Sequence, residues 1–178
     1  SINVYNFGDY INFDVIDQFE EETGIKVNYD TYATNEDIYV KLKQGGNSYD
    51  VIFISDYTIE RGISEDLFTP INWENVPNKD KIDEKFLDLV FDPENQYSAP
   101  YMWGTFGIIY NTTMVDETVD SWDILWDEKH AGDILMLNSQ RDTIGVALLK
   151  LGYSMNTRDE KELEEAKNEL IKQKPLVY

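Results

Sequence analysis

"IKVNYDTYATNEDIYVKLKQGGNSYDVIFIS", residues 25–55, decides how the chain is built. Its first part, IKVNYDTYA, is rich in β-formers and reads as a strand. TNEDIYVKLKQGG then reads as a short helix. Thr34 or Asn35 can cap it, acids fill its first turn, and Gly45 closes it. YDVIFIS is a nearly continuous apolar run, the pattern of a strand buried on both faces. Strand, helix and strand in succession imply a crossover unit with parallel strands.

The flanks continue the rhythm. INVYNF, before it, reads as a strand. NFDVIDQFEEETG places Phe13, Ile16 and Phe19, with Val15, at helical spacing, and Gly24 supplies a stop. YTIERGISED, after it, reads as a helix. Residues 68–97 are less regular: they carry Pro70, Pro77 and Pro93, and one helix is expected at DEKFLDLVF. A second rhythm begins after SAPYMWG. TFGIIYN and DILMLN read as strands, and SWDILWDEKHAG as a helix with a Ser121 cap and a Gly132 stop. RDTIGVALLKLGYS reads as a helix with Ile144, Leu148 and Leu151 on one face. DEKELEEAKNELIKQK is a charged helix with a narrow apolar stripe. PLVY begins a strand with no successor, so the sequence is expected to continue. The fold class is α/β with mainly parallel sheets.

Composition narrows the function. Of 178 residues 42% are hydrophobic, enough for a core. Lys and Arg number 15 against 35 Asp and Glu, a formal charge of −20. Nucleic acid and anionic membranes repel such a chain, so neither is an expected partner. Cationic partners are favoured, although solubility alone explains much of a low pI. The absence of cysteine removes disulfides, thiolate nucleophiles and Cys-based zinc sites. No apolar run approaches the roughly 18 residues of a membrane span. No leader pattern precedes the strand at Ile2, as in a mature or trimmed form.

Ligands of open parallel sheets bind beyond the carboxyl ends of the strands. After the first strand come Phe7, Gly8, Asp9 and Tyr10; after the second Tyr32, Ala33, Thr34 and Asn35; after the third Ser55, Asp56 and Tyr57. In the second half DILMLN is followed by Ser139, Gln140, Arg141 and Asp142. These residues are aromatic, acidic and hydroxylic, with no glycine-rich dinucleotide fingerprint and no P-loop. Ring faces attract cations and pack on methylenes, and carboxylates bind ammonium groups. Together these describe a site for an alkyl polyamine. Asp9, Asp56 and Asp142 also lie near helix starts, where an Asp serves equally as a cap. The same acids oppose a phosphate or sulfate ligand.

YNFGDY, FEEETGIKVNYDTYATNEDIYVKLK, YDVIFIS, YSAPYMWGTFGIIYN, SWDILWD and ALLKLGYSMNT, in this order, resemble the spermidine/putrescine-binding proteins of polyamine ABC importers. The resemblance implies a two-lobed, type II periplasmic-binding-protein-like fold, here truncated to its N-terminal part. Residues 1–104 would belong to lobe one and 105–178 to part of lobe two, with a crossover near Gly104 or Thr105. The family's first loop usually reads Tyr-Asn-Trp, then an acid and Tyr; Phe7 replaces the Trp, and Tyr10 matches. Its Ser-x-Tyr matches Ser55 and Tyr57. Its acid-x-Arg-Glu becomes Ser139, Gln140, Arg141 and Asp142, so one carboxylate is lost and one is shortened by a methylene.

The expected ligand contacts are therefore Phe7, Asp9, Tyr10, Ser55, Asp56, Tyr57, Ser139 and Asp142. The expected partners are a polyamine and the membrane permease of an ABC importer. The expected location is extracytoplasmic, with membrane anchoring in the full-length form. No reaction, cofactor or metal is expected. A Ser-His-Asp site would need His130, the only histidine, which falls at a predicted helix end. DPENQ around Asp92 lacks the spacing of a calcium loop and reads as a turn. Trp103, Trp122 and Trp126 are expected to pack in cores or between lobes. An open sheet edge invites self-association or swapping. Two rivals are another organic cation on the same fold and an acidic protein-interaction module.

Overall fold

The strand β1 (Ile2–Phe7) is the centre of a three-stranded parallel sheet ordered β2-β1-β3, with β2 at Val27–Tyr32 and β3 at Val51–Ile52. The computed structural model describes residues 1–45 and 48–178, which form two compact units, Ser1–Gly104 and Thr105–Tyr178. The register pairs Ile2 with Val27 through to Phe7 with Tyr32, so the strands end level with one another.

Helix α1 (Phe13–Thr23) begins at Asn12, whose side chain accepts from the Asp14 N–H, and ends at Gly24. Gly24 has φ +70°, a backbone state that only glycine adopts without strain, and its N–H closes on Glu20 O. Phe13 meets the edge of the Tyr29 ring at 5.4 Å, on the face of the sheet that carries Val4. Helix α2 (Asn35–Gln44) covers the other face. Thr34 caps it by accepting from the Asp37 N–H, and Ile38, fully buried, packs with Tyr5 and Tyr32. Helix α3 (Asp56–Ser64) completes the alternation. Six elements expected from the first 66 residues are thus present in order.

The third strand departs from expectation. YDVIFIS is not buried on both faces: β3 is a two-residue edge strand, and Val51 is 45% exposed. Flanking bonds from Asp50 N to Asn3 O and from Phe53 N to Tyr5 O lengthen the contact with β1. Ile52 and Ile54 turn into the α2 side, while Phe53 meets the Tyr101 ring at 4.6 Å. The apolar run serves two surfaces of an edge rather than a doubly covered centre. DEKFLDLVF forms only a 3-10 turn, Glu84–Phe86, and Leu87 is extended.

One carboxylate organises the proline-rich connection. Asp92, buried to 1% exposure, accepts from Gln96 N, Tyr97 N, Ser98 N and Ser98 Oγ at 2.7–3.1 Å. The segment is a turn, as expected, but a tightly fixed one. Glu94 and Asn95 take left-handed conformations, and Trp73 Nε1 donates to Asn95 O.

The second unit is built on two helices, α4 (Gln140–Lys150) and α5 (Glu160–Gln173). Ala147, Leu148 and Ala166 form its buried cluster, with Trp126, Ile144, Leu151, Tyr153 and Leu170 packed around it. Trp126 Nε1 donates to Glu169 O, and Lys150 bridges to Glu169 Oε2 at 2.8 Å. SWDILWDEKHAG forms two 3-10 turns, Trp122–Trp126 and Glu128–His130, instead of an α-helix. Ser121 still caps the first turn, and Gly132 has φ +86°. His130 Nε2 lies 3.1 Å from Glu117 Oε1; Lys129, then His130, hold that carboxyl down at about 2.

Two strand expectations fail here. TFGIIYN has no strand among the described residues, and Ile109 is wholly exposed. DILMLN contributes only an isolated parallel bridge between Ile134 and Val177 of PLVY. A strand exists only through a paired neighbour, and no described segment pairs with residues 105–110, although the Phe106 ring lies 5.7 Å from that of Trp122. The parallel sheet therefore belongs to the first unit. Trp103 also departs from core packing: it is 69% exposed, beside the Phe86 ring at 5.5 Å. Among the described residues no helix is long and apolar enough to cross a membrane.

Candidate functional site

The level carboxyl ends of β1 and β2 bring Phe7 and Tyr32 together, with ring centroids 4.4 Å apart. Tyr10 folds back over Phe7 at 4.9 Å, and Tyr5 supports Tyr32 from below at 5.0 Å. The result is an aromatic floor whose outermost ring, Tyr10, is 45% exposed. Burial, with Tyr5, Tyr57 and Tyr10 nearby, pushes the Tyr32 phenol above the usual tyrosine range. It stays a neutral donor, and it donates to Phe53 O at the end of β3.

Beside the rings lies a polar fork. Asn35 Nδ2 donates to Ser55 Oγ at 3.0 Å and to Tyr57 Oη at 2.9 Å, and Asn35 Oδ1 accepts from Ser55 N at 3.1 Å. Asp56 is exposed and its Oδ1 accepts from Tyr57 N at 2.7 Å, a local helix-start role. Asp9 is exposed in the turn between Gly8 and Tyr10. The loop bearing Tyr10 is tied down from the far end of the unit, where Tyr101 Oη donates to Tyr10 O at 2.5 Å.

On the second unit, Ser139 is the N-cap of α4 and its Oγ accepts from Asp142 N at 3.3 Å. Thr143 Oγ1 donates to Leu137 O, and the Arg141 guanidinium donates to Asn156 Oδ1. Asp142 is half-buried in the first turn. Both expected residues are thus on one helix start, with Ser139 engaged in capping.

Within the first unit, the structure joins Phe7 with Tyr10, and Ser55 with Tyr57, in two adjoining groups. Three participants lie outside the expected set of ligand contacts: Tyr32, Asn35 and Tyr101. Tyr32 and Asn35 carried a signal, since both stand at the end of the second strand. Tyr101 carried none, because its contact spans 91 positions. Rings, hydroxyls and an amide can accept ammonium protons and cover methylenes. Among the described residues no group of acids and histidine is arranged to hold a metal ion.

The sequence matches the family described as bacterial extracellular solute-binding protein over residues 14–177. The spermidine/putrescine-binding periplasmic protein of Escherichia coli K12 is 41% identical over 175 residues, 97% of this chain and 50% of that protein. A solved structure from Listeria monocytogenes, 41% identical, superposes with a TM-score of 0.94 over 99% of this chain and 55% of its own. The Tp0655 (TpPotD) lipoprotein of Treponema pallidum, 31% identical, superposes at 0.92 over 99% of this chain and 56% of its own. The chain spans about half the length of the curated relatives it matches.

Proposed function

Since the chain belongs to the bacterial extracellular solute-binding proteins, we propose that it carries the polyamine-recognising rim of a receptor that feeds an ABC importer. The observation that carries the proposal is the aromatic floor of Phe7, Tyr10 and Tyr32 beside the Asn35, Ser55 and Tyr57 fork. Phe7 and Tyr10 cover the methylenes and attract the charged nitrogens. Ser55 and Tyr57 hydrogen-bond an amine. Asp9 and Asp56 add negative potential at the first unit's rim. Asp142 offers a carboxylate to an ammonium group, and Ser139 stands where the family pattern has a second acid. Loss of that acid weakens the hold on one ligand nitrogen.

The receptor works by capture and release, with no bond made or broken, and hands its cargo to a membrane permease. Its place is outside the cytoplasm; a relative named a lipoprotein supports anchoring to a membrane. Spermidine and putrescine names among the relatives support a polyamine over another organic cation. The family match favours solute capture over an acidic protein-interaction module. Titration calorimetry with spermidine and putrescine tests the proposal. Heat with either, and none with sulfate or a neutral sugar, is the expected result. The reverse pattern overturns it.

A further inference from the structure

Asn35 opens α2, yet it does no capping, because Thr34 already accepts the Asp37 N–H. Ser55 stands at the N-cap of α3, the position where a serine normally turns its hydroxyl onto its own helix. Here that hydroxyl makes no capping bond. It points to Asn35 instead, at 3.0 Å. Two residues at helix starts, neither of them capping its own helix, thus meet each other across the end of the sheet.

The orientation of the Asn35 amide is fixed by chemistry. Ser55 N–H is a backbone donor and needs an acceptor, so the atom it faces at 3.1 Å must be Oδ1. Nδ2 then faces Ser55 Oγ and Tyr57 Oη, and each of its two protons serves one hydroxyl oxygen. One amide therefore sets the position of both hydroxyls, and its carbonyl clips the backbone that carries the first of them.

Building on the polyamine reading, we propose that Asn35 is the positioning residue of the site. It acts through Ser55 and Tyr57, holding their oxygens in one fork at the rim without needing to touch the ligand. Its effect on affinity exists only while both hydroxyls are present.

The test is a double-mutant cycle read by NMR titration of the chain with spermidine, which also measures weak binding. Asn35→Ala is expected to weaken spermidine binding about tenfold in the wild-type background. In a Ser55→Ala, Tyr57→Phe background the same change is expected to cost less than about twofold. Equal cost in both backgrounds overturns the proposal and leaves the polyamine reading standing. A readout without ligand stands beside it: hydrogen exchange of the Asn35 Nδ2 protons, expected to quicken about tenfold in the Ser55→Ala, Tyr57→Phe variant. Unprotected Nδ2 protons in the wild-type chain overturn the fork. Protected protons with no response to spermidine or putrescine support the fork and overturn the polyamine reading alone.

Discussion

Single residues decide the rim. Asp92 accepts four hydrogen bonds from three successive residues and so sets the course of the chain toward Tyr101, which in turn holds Tyr10. Asp92→Ala removes a buried acceptor from four part-buried hydrogen bonds and should lower stability by about 2–3 kcal/mol, measured by urea denaturation. Gly62 is fixed by close approach: a Cβ there would lie 2.2 Å from Phe68 Cε2. Gly62→Ala should therefore cost about 1–3 kcal/mol in the same assay. Phe7→Ala removes the middle ring of the floor and is expected to weaken spermidine binding about tenfold by calorimetry. Phe7, Tyr10, Ser55 and Tyr57 could be picked out of the sequence because each stands at or shortly beyond the end of a strand. Asn35 stands at a strand end as well, but its bonds to Ser55 and Tyr57 and the Tyr101 contact were not legible, since they join positions 20 to 91 apart.

Elements show where local patterns suffice. α1, α2 and α3 carry their own starts and spacing, so a reader of the sequence finds them unaided. TFGIIYN carries a strand pattern without a paired neighbour, and SWDILWDEKHAG carries a cap and a glycine stop yet forms only two 3-10 turns between them. Pairing and packing decide these cases, and neither is written in a short window. α2 and α3 are joined by Glu65, which accepts from Tyr39 Oη at 2.9 Å and pairs with Lys43 at 2.8 Å and Arg61 at 3.1 Å. Lys43 first, then Tyr39 and Arg61, hold its carboxyl down to about 2 from an ordinary 4.5. A depressed carboxylate stabilises the folded state above its unfolded value, and the contribution fades as pH falls through the folded one. The stability difference between wild type and Glu65→Gln should therefore be complete above about pH 4.5 and disappear toward pH 2. Denaturation curves across that range check it; a pH-independent difference would contradict the assignment.

At the scale of the whole chain, two cores stand behind two different kinds of surface. The first unit buries Tyr5, Tyr32 and Ile38 beneath its sheet, and the second buries Ala147, Leu148 and Ala166 between helices. Spread over both is a formal charge of −20. Mutual repulsion of that size destabilises the compact state, and salt screens it within a Debye length of about 8 Å at physiological ionic strength. The melting temperature should rise as sodium chloride goes from about 10 to 150 mM, in scanning calorimetry. Salt should oppose the polyamine in the same range, by competing with its ammonium groups. The unused capping position at Ser55 has a further consequence for anyone redesigning this scaffold. Automated stabilisation would favour a residue that firms the start of α3, for a gain of about 1 kcal/mol. Under the proposed polyamine reading, a thermostable variant selected that way would trade ligand affinity for heat resistance, which makes Ser55 a position to leave untouched.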